Sequence, residues 1–398
     1  MSSLKYKKKF WRFSGNEEKY INEIFKKGFK FKNKSFSERL ENKFSNMHNV
    51  NYSICINSCT SALHVAFLAL GLKKNDEVLV PALTPIMCGT SVHLAGGTPV
   101  YVDVNPDTFL IEIEDIKKKI TNKTKAILAV HMYGGICNLK ELRKICNNNK
   151  LFLVEDCAES MIARDENNLI TGSVGDIGCW SFQSAKQLTC GDGGILTTNN
   201  PVLGKKLRKF SNLGFKVLNA ESNKIIISKD ERQNPNYKRF DEIGFNYRMN
   251  EFTAAIALAQ CERVKYFITK RRKAALSLMN ILKNNKYLLP QKIPSDAYST
   301  YYTLAVKLVK NEKKKLNWSD FRRKFMQFGG DGIYAASRLI HQEPAIKKNK
   351  IGKMSSKTPI AKKLQQELLL FTTNQSNQKE IDIQTNALKK TINYFNLG

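Results

Sequence analysis

Three short stretches put chemically useful side chains at the ends of apolar runs. In "CWSFQSAKQLTCGDGGILTT", Cys179 to Thr198, a single lysine, Lys186, follows a strand-like run and precedes Gly191, Gly193 and Gly194. A lysine amine in a partly dry cleft can attack a carbonyl, because desolvation and neighbouring charge shift its pKa. The plain alternative is a solvated surface lysine, in a chain with 65 lysines and arginines. The glycines after it permit a tight turn and close backbone approach. In "VEDCAES", Asp156 stands near the carboxyl end of an apolar run. It could stabilise a protonated heteroaromatic nitrogen, or serve as a helix cap or a structural acid. In "INSCTSAL", Ser58, Thr60 and Ser61 mark a strand–turn–helix junction. Free N–H groups, hydroxyls and the helix dipole there suit a phosphate dianion, although ordinary N-capping uses the same residue types.

These residues need a scaffold that brings their strand ends together. From about residue 50 to 200, "YSICIN", "DEVLVP", "PVYVDV", "KAILAVHMYG" and "LFLVEDCA" read as strands. Between them "TSALHVAFLAL" sets Leu63, Phe67 and Leu70 on one helical face, and "PIMCGTSVHLAG" and "LKELRKICNNN" read as helices. Such alternation predicts an α/β fold, a mostly parallel sheet between helices. Ligands in such sheets sit beyond the carboxyl ends of the strands. After residue 200, "ESNKIIISKDERQNPNYKRF" reads as a loop or hairpin excursion and "MNEFTAAIALAQCERVKYFITKRRKAALSLMNILK" as one long helical stretch. "STYYTLAVKLV" is strand-like, and "KKNKIGKMSSKTPIAKK" reads as a mobile basic connection. The expected division is an N-terminal segment 1–28, a large domain 29–265 and a smaller C-terminal α+β domain 266–398.

Composition narrows the function classes. With 42% hydrophobic and 25% charged residues in 398, the chain is a folded globular protein. Its formal charge of +30 admits an anionic partner. The lysines are spread along the chain without an aromatic-interleaved stripe, so nucleic acid is not the expected partner. A phosphorylated small molecule is compatible with the charge. Nine cysteines show no metal-ligand spacing and no paired pattern, which predicts no metal site and reduced thiols. "MSSLKYKKKFWRF" lacks the apolar core of an export signal, and "ALHVAFLALGL" is too short to span a bilayer. A cytoplasmic location without membrane attachment is therefore expected.

A phosphate cradle, a carboxylate for a ring nitrogen and a Schiff-base lysine are the parts that pyridoxal 5'-phosphate (PLP) requires. The chain resembles the DegT/DnrJ/EryC1/StrS family, the fold-type-I PLP-dependent sugar aminotransferases. The matching stretches include "NSCTSALHVAFLALGLKKNDEVLVPALT", "GGTPVYVDVNPDTF", "VEDCAES", "GSVGDIGCWSFQSAKQLTCGDGGILTTN" and "GFNYRMNEFTAAIALAQCERV", in the family's order and spacing. The resemblance implies that Lys186 carries the cofactor and shuttles protons. It implies that Asp156 pairs with the pyridinium nitrogen, while Ser181, Thr60 and Ser61 hold the phosphate. Asn246 resembles an asparagine that reaches the phosphate from a neighbouring subunit, so a homodimer with shared active sites is implied. The plain reading of Asn246 is a helix cap.

Some positions depart from the family. Glu159 stands where glutamine is common, and a carboxylate beside the cofactor hydroxyl needs a proton or a cationic neighbour. Pro85-Ile86 replaces a stacking aromatic, and Cys59 replaces a glycine. Lys186 separates the chain from family 3-dehydratases, which carry histidine there. The implied reaction is ping-pong transfer of an amino group from an amino acid, L-glutamate or in some branches glutamine, to a keto sugar. A nucleotide-linked keto-deoxysugar is the expected acceptor. A keto-cyclitol acceptor and a non-catalytic basic binding protein are the rival readings. Tyr301, Tyr302, Tyr334 and His341 are candidate substrate contacts, with structural packing as the plainer alternative.

Overall fold

The computed structural model describes residues 10–29, 31, 34–309 and 316–397. The opening stretch Met1–Lys9, read above for an export signal, lies outside them. The apolar runs form strands β1 (Tyr52–Ile56), β2 (Glu77–Pro81), β3 (Thr98–Val102), β4 (Thr124–Val130), β5 (Phe152–Asp156), β6 (Ile177–Ser181) and β7 (Gly194–Thr198). They make one seven-stranded sheet in the order β1-β7-β6-β5-β4-β2-β3. Only β7 runs against its neighbours β1 and β6; the other pairs are parallel. As a result β1, β2, β4, β5 and β6 end on the same sheet edge, and β7 begins there.

The strands are buried along almost their whole length, as parallel strands covered on both faces must be. The helix Cys59–Ala69 packs on β6, β7 and the helices Met87–Leu94 and Pro201–Ser211. Ala62, Leu63, Val65, Ala66 and Phe67 are all fully buried. The face of Leu63, Phe67 and Leu70 is thus only part of its buried surface, because this helix is enclosed rather than amphipathic.

The second sheet holds β8 (Leu288–Pro290), β9 (Thr303–Leu308), β10 (Tyr334–Ala335) and β11 (Leu368–Thr372), antiparallel in the order β10-β11-β9-β8. Leu278 and Leu282 of the helix Val264–Leu282, with Ala387 and Leu388 of the helix Gln378–Tyr394, pack in its core beside Phe321 and Phe325. Leu339, Ile340 and Leu368 from this C-terminal region join the core of the first sheet. The two sheets are therefore packed into one body, and the smaller one can wall the site.

Two expectations change. The long helical stretch is two helices, Glu251–Glu262 and Val264–Leu282, broken at Arg263 (φ −110°, ψ 15°). Arg263 contacts the carbonyls of Trp11 and Arg12, an interaction that helical periodicity cannot register. The basic connection is not free either. Lys353 N–H bonds Pro99 O at 2.9 Å, Tyr101 Oη donates to Ile351 O at 3.0 Å, and Lys353 Nζ lies 2.6 Å from Glu77. It covers the outer edge of β3, which would otherwise present unpaired backbone. The polar stretch before Asp241 holds no named strand; it carries a short helix, Lys229–Gln233, with a Ser228–Glu231 capping box.

Candidate active site

The common sheet edge assembles a cavity of about 390 Å³. Asp156 is the last residue of β5 and Ser181 the last of β6; Ser58 follows β1, Met132 follows β4, Pro85 and Met87 follow β2, and Gly193 precedes β7. Cys59, Thr60, Glu159, Gln183, Lys186 and Tyr302 complete most of the lining. Each strand ends there because the parallel topology gives those strands the same polarity.

Lys186 is set by a turn after β6, where its N–H bonds Gln183 O at 2.9 Å and Ala185 N–H bonds Gln183 Oε1 at 2.8 Å. Its side chain is mostly buried, with Nζ 3.0 Å from Glu159 Oε1 and 4.4 Å from the centre of the Tyr302 ring. The other Glu159 oxygen accepts the Tyr133 N–H at 2.8 Å. Tyr133 sits at φ 67°, a left-handed conformation that aims this N–H into the site. Burial alone would lower the Lys186 pKa; the charge of Glu159, aided by Tyr302 and Asp156, outweighs it and the net direction is upward. The cationic neighbour that Glu159 needs is therefore the lysine itself.

Asp156 is buried. Its Oδ1 accepts the Ala158 N–H at 3.0 Å, and the thiols of Cys88 and Cys59 lie 3.5 and 3.9 Å from its oxygens. No lysine, arginine or histidine pairs with it directly among the described residues. Burial pushes its pKa up, against the Ala158 N–H and the Lys186 charge, which lower it. A buried carboxylate facing a cavity with only thiols and one amide around it fits a cationic ring N–H of a bound molecule.

The anion end is narrower than expected. Ser58 caps the helix Cys59–Ala69: its Oγ accepts Ser61 N–H at 3.1 Å and lies 2.9 Å from Ser61 Oγ. Ser61 is thus engaged within the cap and does not line the cavity, whereas Thr60 lines it and is exposed. Ser181 Oγ accepts the Gln183 N–H at 3.3 Å. A Cβ on Gly194 would lie 2.7 Å from the Ser58 carbonyl carbon, so only glycine lets β7 approach this turn.

Asn246 is exposed and lines a separate cavity with Ser35, Ser37, Lys224 and Arg248, away from Lys186 within one chain. The cap of the following helix is Asn250. Among the other candidates only Tyr302 lines the Lys186 cavity; Tyr301 is buried beside Arg272, Tyr334 is exposed, and His341 lies 5.3 Å from Tyr101. At the position without a stacking aromatic, Pro85 and Met87 face the cavity while Ile86 packs on the core. His131, Glu155 and Cys157 bring possible metal donors within 4.8 Å of one another. They are already engaged: His131 Nε2 bonds Glu155 at 3.0 Å, His131 Nδ1 accepts Cys137 N–H, and Glu155 takes the N–H groups of Gly172 and Val174. Residue spacing gave no sign of Met87 and Cys88, at the start of the helix Met87–Leu94, or of the Tyr133 amide, in the turn Met132–Gly134, because the strand order brings those two segments to the site.

Residues 13–384 match the DegT/DnrJ/EryC1/StrS aminotransferase family. The chain belongs to that family. It is 35% identical to GDP-perosamine synthase of Escherichia coli O157:H7 over 297 residues, 74% of this chain and 75% of that protein. The solved aminotransferase from Psychrobacter cryohalolentis superimposes with a TM-score of 0.85 at 25% identity, covering 96% of this chain and 97% of that one. NtdA from Bacillus subtilis, solved with bound cofactor PMP, superimposes with a TM-score of 0.76 at 26% identity, over 95% and 81% of the two chains. This family member is thus a PLP-dependent sugar aminotransferase, and its larger and smaller sheets are those of a fold-type-I enzyme. Among the described residues no helix is long and apolar enough to cross a membrane.

Proposed function

We propose that this aminotransferase moves an amino group from L-glutamate to a nucleotide-linked keto sugar, with a GDP-linked sugar the first acceptor to test. The observation that carries the catalytic reading is the placement of Lys186 Nζ between Glu159 and Tyr302, in the same cavity as the unpaired Asp156. When bound, PLP supplies an electrophilic carbonyl and an electron-withdrawing ring. Asp156 offers the ring nitrogen a buried negative charge. Thr60 and Ser181 offer hydroxyls to the phosphate, with Ser61 supporting them through the Ser58 cap. Lys186 is the nucleophile and, once free, the base and acid that moves the donor's Cα proton. With the cofactor absent, Glu159 favours the protonated form of the Lys186 amine.

The acceptor reading is supported by relatives. Proteins named GDP-perosamine synthase are 35% and 32% identical to this chain. A surface with a net charge of +30 would draw a diphosphate-bearing substrate. Asn246, outside the Lys186 cavity of its own chain, would serve the site of a second copy in a homodimer with shared sites. A cytoplasmic location follows from such substrates.

The test supplies purified holoenzyme with L-glutamate or L-glutamine and, in parallel, a GDP-linked keto sugar and a keto-cyclitol. Mass spectrometry reads the aminated product. Amination of the nucleotide sugar alone is expected; amination of the cyclitol alone overturns the acceptor assignment.

A further inference from the structure

A second cavity, again of about 390 Å³, adjoins the first and shares Tyr302 with it. Arg12 and Arg271 line it, only 7% and 4% exposed. Arg12 comes from the N-terminal turn Trp11–Phe13 and donates to the carbonyl oxygens of Ser184, at 2.9 Å, and Lys186. Arg271, on the helix Val264–Leu282, donates from Nη1 to Tyr302 O and Thr373 Oγ1, each at 3.0 Å, and from Nη2 to Lys186 O at 3.5 Å. All of these acceptors are neutral. Among the described residues neither guanidinium has a carboxylate within ion-pair distance.

Two buried cations that share one carbonyl acceptor repel each other and lack a counter-ion. Burial lowers both pKa values, and the Arg12 charge contributes to lowering that of Arg271, to about 10. Such a pair is costly unless an anion joins it. Hydrogen bonding to carbonyls alone would not need two full charges. The guanidinium fork matches a carboxylate. An anion seated here would lie against the backbone of Lys186, with the Tyr302 ring shared between its cavity and that of the amine.

We propose that Arg12 and Arg271 bind a carboxylate of the amino donor while its amine lies at Lys186. This rests on the aminotransferase reading of the Lys186 site and is independent of which sugar is aminated.

The test uses the half-reaction of holoenzyme with L-glutamate alone, followed by the change in cofactor absorbance. Arg12→Gln should raise the glutamate concentration for half-maximal rate by about tenfold or more, the loss expected for a charged hydrogen-bond partner. Arg12→Lys should recover part of it, and calorimetric GDP binding should stay unchanged. Unchanged glutamate dependence overturns the proposal, and so does loss of GDP binding with glutamate unaffected, which would make this a diphosphate site. A second measurement needs no variant. Glutarate, a dicarboxylate without an amine, should slow phenylglyoxal modification of Arg12 and Arg271 in wild-type holoenzyme, read by peptide mass spectrometry. Equal modification with and without glutarate overturns the proposal. Failure of the wild-type half-reaction itself would instead count against the donor assignment, leaving the glutarate arm to judge the carboxylate site.

Discussion

Lys186 Nζ and Glu159 Oε1 stand 3.0 Å apart, on two different loops beyond the same sheet edge. The Tyr302 ring and the Tyr133 amide flank the pair, and Asp156 lines the same cavity. The Glu159 carboxylate therefore contacts the amine proposed to react. The Lys186 pKa lies above the ordinary lysine value, so the pair's contribution to stability is present at neutral pH and is lost as pH rises through that raised value.

Glu159→Gln keeps the hydrogen-bonding oxygen and removes the charge. The Lys186 amine then loses its proton at lower pH, because the carboxylate charge that favours the ammonium is gone. Capture of PLP by the cofactor-free chain, timed by absorbance over a pH series from neutral to alkaline, should be faster at neutral pH in the variant. An unchanged pH profile would show that Glu159 does not govern the amine.

Asp156→Asn separates stability from activity. Because the folded protein holds the Asp156 proton more tightly than the unfolded chain, this group favours folding at low pH and disfavours it once ionised. The cofactor-free variant should gain stability at pH 7, on the order of 1 kcal/mol in a denaturant titration. Its turnover should fall about a hundredfold or more, the scale for losing one preorganised charge. Retained turnover would sink the assignment of this acid to the ring nitrogen.

Gly194→Ala places a methyl 2.7 Å from the Ser58 carbonyl carbon and 2.8 Å from Trp180 O. Both are backbone atoms and cannot rotate away. Overpacking of this kind costs roughly 1–3 kcal/mol. The shift of the Ser58 turn should also weaken retention of PLP on dialysis. A variant with wild-type melting temperature and cofactor retention would mean that the turn adapts freely.

Lys186→Ala should abolish amino transfer while circular dichroism stays that of the wild type. In the wild type, borohydride should fix the cofactor to the peptide spanning Ser181 to Gly194. An adduct on any other lysine would move the reacting amine elsewhere.

The alternation of apolar runs with helical patterns was enough to place β1 to β5 and the helices Cys59–Ala69, Met87–Leu94 and Leu139–Asn149, but not the short helix Ile113–Lys119 between β3 and β4. Strand formation along buried, β-branched segments is favoured by local pattern, though which strands pair is not. The placement of Asp156 and Ser181 at strand ends, of Lys186 beyond a strand and of Thr60 at a helix start was likewise legible. Charge and composition misjudged the segment around Lys353, because lysines on a loop read as solvated until an edge strand is found beneath them. The break at Arg263 escaped for a similar reason: its partners are the carbonyls of Trp11 and Arg12, near the other end of the sequence.

Local sequence alone gave most element types, the family resemblance and the candidate side chains for the chemistry, since those depend on spacing within a few residues. Only the tertiary structure decided that Glu159 meets Lys186, that Asp156 is left without a cation, and that Arg12 and Arg271 converge on one carbonyl. Those are contacts between segments up to 174 residues apart. They follow from strand order and from packing of the second sheet, which periodicity and composition do not encode.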